Sequence, residues 1–185
     1  MNFCSTDAFS FVWSHIKKAF FFVLVFFSFS GLHAQEELDY SVHANIIYHF
    51  TKYINWPSDK NSGDFIIGIV GETPLTDELK KVVIGKKAGG QNIIIKKISS
   101  SSSAFNCHIL FISDAASSSL KKIVNATIND PVLLVSETKG SATKGSCINF
   151  SIVNDKLKLE INKNNIQQRR LEIASELLQL GIQVK

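Results

Sequence analysis

Apolar positions along the chain recur at two spacings, and each predicts a different element. From Ser41 to Ile54 they fall at Val42, Ile46, Ile47, Phe50, Tyr53 and Ile54, the three-and-four spacing of an amphipathic helix with Ser41 as its N-cap. Trp56-Pro57 ends that helix, because the residue before a proline is pushed out of the helical region. Asp64 to Val70 is a short, nearly continuous apolar run and predicts a strand buried on both faces. Gly71-Glu72-Thr73-Pro74 reads as a turn, with Thr73 capping a helix from Leu75 to Val83 and Pro74 at its first position. Gly85 and the pair Gly89-Gly90 punctuate before a second strand, Asn92 to Ile98, and the serines Ser99 to Ser103 form a solvated loop.

The same alternation continues. Cys107 to Ile112 predicts a third strand, and Ser113-Asp114 caps a helix from Ala115 to Ile128 that carries Leu120, Ile123, Val124, Thr127 and Ile128 on one face. Asn129-Asp130-Pro131 stops it ahead of a fourth strand, Val132 to Val135. Beyond a loop bracketed by Gly140 and Gly145, Ile148 to Val153 and Lys156 to Ile161 form a hairpin around Asn154-Asp155, with Leu157, Leu159 and Ile161 alternating with charges. Lys163 to Gly181 carries Ile166, Ile173, Leu177 and Leu178 and reads as mostly helical. Strands alternating with helices predict an α/β domain of three layers: a mostly parallel sheet flanked by helices, with the hairpin adding an antiparallel edge, in the flavodoxin or Rossmann manner.

Composition changes the picture at the N-terminus. Of 14 Phe in 185 residues, nine lie in the first 29. Lys17 and Lys18 precede the apolar run Ala19 to Phe27, which fades by Leu32 into His33-Ala34-Gln35 and then the acids Glu36, Glu37 and Asp39. A basic end, an apolar stretch of roughly 7 to 15 residues and a small residue before a polar start is the layout of a secretory signal peptide. The 14 residues from Ala19 to Leu32 are too few to span a bilayer, which takes about 20 apolar residues. The reading is a leader of residues 1–34 cleaved after Ala34, followed by one domain of residues 35–185 outside the inner membrane, in the periplasm. Lysine and arginine there number 18 against 15 acids, a net charge of +3 that gives no reason to expect a nucleic-acid partner.

Signatures of chemistry are sparse along the chain. Gly68-Ile69-Val70-Gly71 lacks the third glycine of a dinucleotide-binding turn, and neither a phosphate-binding Gly-Lys-Ser/Thr loop nor a Gly-x-Ser-x-Gly elbow occurs. His43 and His49 lie about 120° apart on their helix, and Cys107 and His108 point to opposite faces of a strand, so no metal set forms. The expectation is no enzyme, no cofactor and no metal. Cys107 and Cys147 would suit a disulfide in an oxidising compartment, or stand as two buried small hydrophobes. Strands with one other between them put about 10 Å between the two ends, against the roughly 7 Å between Cα atoms that a disulfide allows. Glu160 and Asn162 project to one face of their strand, as a solvated edge or as groups for a partner's backbone. Tyr53, Trp56 and Pro57 form an aromatic knot, either packed in the core or presented as a partner-facing anchor.

Five segments in order carry a resemblance: His49 to Pro57, Phe65 to Gly71, Cys107 to Ser113, Gly145 to Phe150 and Leu159 to Asn162. Together they resemble YfiR-like periplasmic proteins, over nearly the whole of Ser41 to Leu180. The resemblance implies a non-catalytic regulator that tends to dimerise. It also implies restraint of a membrane-bound diguanylate cyclase through the cyclase's periplasmic sensor region, with consequences for cyclic di-GMP and biofilm formation. Redox state or small ligands would release it, and Cys107 and Cys147 fall within the matching segments. The alternative is a periplasmic small-molecule-binding or redox protein of flavodoxin-like fold. Its ligand would lie near Gly71 to Pro74 and Ser113-Asp114, at the carboxyl ends of the strands.

Overall fold

The structure, a computed structural model, describes residues Asp39–Lys185; the predicted leader and its cleavage after Ala34 lie outside the described residues. Helix α1 (Tyr40–Tyr53) opens the fold, followed by the two-residue strand β1 (Ile54–Asn55). Strand β2 (Phe65–Val70) leads into α2 (Leu75–Val82), then the hairpin of β3 (Lys87–Ala88) and β4 (Gln91–Lys97). Strand β5 (Ile109–Ile112) passes through a 3-10 segment, Asp114–Ser119, into α3 (Leu120–Thr127) and β6 (Leu133–Ser136). The hairpin β7 (Ile148–Val153) and β8 (Lys156–Ile161) precedes α4 (Lys163–Gln168), β9 (Glu172–Ile173), α5 (Ser175–Leu180) and β10 (Ile182–Gln183).

Eight strands form one mixed sheet in the order β10-β8-β7-β6-β5-β2-β4-β3, and β1 pairs with β9 in a small antiparallel one. The five strands β4, β2, β5, β6 and β7 run parallel. Their sequences are continuous apolar runs because both faces of such strands are covered; β5 and β6 are buried at every position. Register fixes which side chains share a face. Ile69, Phe111, Val135 and Ile148 line up across the sheet, and Phe150 pairs with Leu159 on the same face. Helix α1 covers that face, with the rings of His43 and Phe150 4.3 Å apart. Gly68 brings β2 close to its neighbours: a Cβ there would stand 2.5 Å from Ile98 Cδ1 and 2.9 Å from Leu110 Cδ1, so both side chains would have to shift.

The β7–β8 hairpin has the expected bounds, and Asn154 and Asp155 take the left-handed conformation its two-residue turn demands (φ 51° and 57°). It is not the outermost pair, because β10 adds in parallel beyond β8. Other expectations shift for local reasons. Asp39 caps α1 in place of Ser41, its Oδ1 accepting from the Ser41 N–H at 2.9 Å, so Ser41 sits within the first turn. The helix expected from Ala115 begins as 3-10 and becomes α only at Leu120. Lys163 to Gly181 is mostly helical as expected, but in two short helices, α4 and α5, with β9 between them. Asn162 caps α4 and Arg170 turns left-handed (φ 57°); Ile173 then pairs with Ile54, which holds the chain extended.

Candidate partner-binding surface

The knot at the end of α1 is built inward. Trp56 is half-buried, edge-on to Phe65 (5.0 Å, 88°), and donates its Nε1–H to the His108 carbonyl at 3.2 Å. His108 stacks on Phe65 at 4.3 Å. Its Nδ1 accepts the Ile66 N–H at 3.0 Å, so the ring is neutral and its Nε2–H donates to the Lys60 carbonyl at 2.9 Å. Burial lowers its pKa. Gln91 holds the same loop from the other side, its amide nitrogen 3.1 to 3.3 Å from the carbonyls of Lys60, Ser62 and Gly63. Pro57 is half-buried against this knot. Trp56 therefore anchors the chain to itself, and only part of its ring faces a shallow cavity of about 260 Å³.

Tyr53 has a different setting. With Ile46 and Phe50 it forms one stripe of α1, facing Leu157 and Leu159 of β8 and Leu180 of α5 across a groove of about 410 Å³. The stripe follows the helical spacing and the two leucines the strand alternation, and His49 and Lys158 add a polar side chain to each of these two walls. Leu180 is 72% exposed at the mouth, and Ile182 on the edge strand β10 is 44% exposed.

Glu160 turns to the opposite face of the sheet from Leu159. There its Oε2 accepts from Asn149 Nδ2 at 3.0 Å. Asn149 Oδ1 accepts from Ser136 Oγ at 2.8 Å, which leaves Ser136 to accept from Ser146 Oγ at 2.9 Å. Ser136, Ser146 and Asn149 are buried, and the half-buried Glu160 closes the chain. Asn162 is buried too: its Oδ1 accepts from Asn165 N, capping α4, while its Nδ2 donates to the Ala142 carbonyl at 3.0 Å. The five residues singled out as partner-binding thus separate into a knot, a groove wall, the end of a polar chain and a helix cap. Asn149 and Ser136 were not singled out, since nothing local marks two polar residues inside apolar runs as partners.

Among the described residues, Cys107 and Cys147 are free and buried, ahead of β5 and β7 with β6 between those strands. Burial pushes the Cys107 thiol up to about 12; it also raises Cys147, partly offset by the nearby Arg169 cation. Arg169 is itself buried, with Nη1 donating to the Asn165 carbonyl at 3.0 Å.

At the carboxyl ends of β2, β5 and β6, Tyr40 lies beside Thr73 and Glu137. Glu137 Oε1 accepts from the Asp114 N–H at 3.0 Å; its buried Oε2 and the buried Ser113 Oγ have no partner among the described residues. Burial raises the Glu137 pKa. Among the described residues no three His, Cys, Asp or Glu converge on a metal position, and no helix is long and apolar enough to cross a membrane.

The described residues form a mixed α/β domain with an open groove lined largely by apolar side chains. The chain is a member of the YfiR/HmsC-like family, whose model matches residues 40–182. That family is periplasmic, regulatory and non-catalytic, and it acts in diguanylate cyclase signalling. No curated protein matches the chain.

Proposed function

We propose that this protein is an exported regulator of one domain, residues 35–185, that restrains an inner-membrane sensor of the diguanylate cyclase type by docking on the sensor's periplasmic region, and that it works as a homodimer. The docking surface is the groove walled by α1, β8 and α5. The exposure of Leu180 at its mouth carries this reading, because a soluble domain gains nothing from a leucine in water beside an apolar groove. Ile152, in register with Leu157 on the same face, extends the apolar surface toward the hairpin tip. Leu180→Asp tests the proposal in cells and on membranes. Cyclic di-GMP should rise to the level of a strain lacking the protein, and the cyclase-type sensor should no longer be retained. A variant that still binds the sensor and restrains the cyclase would sink it.

A second reading is favoured by the unpartnered Ser113 Oγ and Glu137 Oε2. Chain order runs from β2 to β4 on one side and resumes at β5 on the other, so right-handed crossovers would place α2 and α3 on opposite faces, the three-layer flavodoxin-like arrangement. Ligands in such folds lie at this reversal, where Gly71 and Ser113 meet. Release of a flavin or nucleotide on denaturing the purified protein would support this reading; its absence, with unaltered stability of Ser113→Ala, would count against it.

A further inference from the structure

The opposite edge of the sheet carries a pattern that the groove does not use. Between Glu78 and Asp114 the chain has six lysines, at 80, 81, 86, 87, 96 and 97, and no acid. Three are paired: Lys80 with Asp77 at 3.0 Å, Lys81 with Glu78 at 2.6 Å and Lys97 with Glu72 at 2.9 Å. Lys86, Lys87 and Lys96 form no ion pair with any described residue. Lys86 Nζ sits 4.4 Å from the Tyr48 ring centre and Lys52 Nζ 5.4 Å from the same ring, which gathers positive charge beside the corner.

At that corner an apolar side chain stands outward. Helix α2 closes at Val83, and Gly85 (φ +69°) reverses the chain toward β3. Ile84 between them is 78% exposed. Val83, Ile93 and Ile95 line a groove of about 540 Å³ below it, rimmed by Lys80, Lys86 and Lys87.

We infer that this corner docks on an anionic phospholipid surface, with Ile84 inserted at the boundary between headgroups and acyl chains and Lys86 and Lys87 against the phosphates. The charge is complementary to such a surface, and an apolar tip flanked by cations is the composition that binds at a bilayer interface. An acidic protein strand would find little to pair with here, since the edge strand β3 is two residues long. Strands β3–β4 and β8–β10 are at opposite ends of the sheet order, so lipid contact leaves the partner groove free.

Co-sedimentation of the protein recovered from the cell envelope tests the inference, with phosphatidylcholine vesicles made with and without phosphatidylglycerol. Binding should require phosphatidylglycerol and weaken as salt is added. Each lysine at such a surface strengthens binding roughly five-fold, so K86E/K87E should weaken it by at least about 25-fold. Ile84→Ser should weaken it several-fold at an unchanged melting temperature, and Leu180→Asp should leave it as it was. Equal binding to both vesicle types, wild-type binding by the two corner variants, or no binding at low salt would each overturn the inference; the last would return the patch to an acidic protein partner.

Discussion

The indole of Trp56 donates to the main-chain carbonyl of His108 at 3.2 Å, tying the segment after β1 to the residue just ahead of β5, 52 positions further on. That bond and the edge-on contact with Phe65 are separable. Trp56→Phe removes the donor and keeps an aromatic ring, and should cost about 1 kcal/mol. Trp56→Ala also removes the ring, and should cost roughly 3 kcal/mol, near the lower end for a large aromatic because Trp56 is half-buried. Urea unfolding curves would show both; equal losses would mean that the bond carries the whole contribution.

Acid should destabilise the fold through two histidines. His43 donates its Nδ1–H to the Asp39 carbonyl at 3.3 Å and buries Nε2 without a partner, while His108 accepts at Nδ1 from Ile66. Burial lowers both pKa values, so the unfolded chain binds these protons first. Their contribution is complete above the ordinary histidine value near 6.5 and declines as pH falls below it. Glu137, raised by burial, acts with the opposite sign, its contribution being lost as pH rises from the ordinary carboxylate range. Melting temperatures should therefore fall between pH 7 and 5.5. His43→Phe should reduce that slope, and an unchanged slope in both His43→Phe and His108→Gln would contradict the assignment.

Gly68 has no room for a methyl group. A Cβ would press on Ile98 and Leu110 in a sheet already covered on both faces, so Gly68→Ala should destabilise by roughly 1–3 kcal/mol. A thermal melt at wild-type temperature would show that those side chains yield freely.

Local signals were legible in the sequence and non-local ones were not. The β7–β8 hairpin was readable because alternation and Asn154-Asp155 lie within a dozen consecutive residues. The β3–β4 hairpin was missed because its first strand is only Lys87–Ala88, too short for alternation, and Gly89-Gly90 reads as punctuation. Ile173 and Leu177 keep helical spacing, yet Ile173 is drawn into pairing with Ile54, which periodicity cannot foresee. The candidate site divides in the same way. Tyr53 was visible as part of a helical stripe, but its opposition to Leu157 and Leu180 depends on how α1 crosses β8.

The buried polar chain makes a sharper case. Asn149→Ala leaves the Ser136 hydroxyl without its acceptor and Glu160 without its donor, which should cost about 1–3 kcal/mol. Asn149→Ala combined with Ser136→Ala should cost less than the two single losses added, because the Ser136–Asn149 bond is lost in each single variant but only once in the double. Strict additivity in a double-mutant cycle would show that the network is not coupled.

Thiol chemistry tests how far redox control reaches this chain. Only the thiolate attacks a disulfide reagent, and burial holds the Cys107 thiol up at about 12, so at pH 8 about one molecule in ten thousand carries it ionised. Cys147 is raised as well and fully buried; Arg169 offsets this without reversing it. Both groups should therefore be inert to an aromatic disulfide reagent in the folded protein and should react together, two per domain of residues 39–185, once denaturant is added. Oxidant applied to the native protein should leave that titre unchanged, and a releasing signal would then not act through these sulfurs. Rapid reaction of either thiol before unfolding would show that the chain opens just ahead of β5 or β7, and would restore Cys107 and Cys147 as the place where oxidation is sensed.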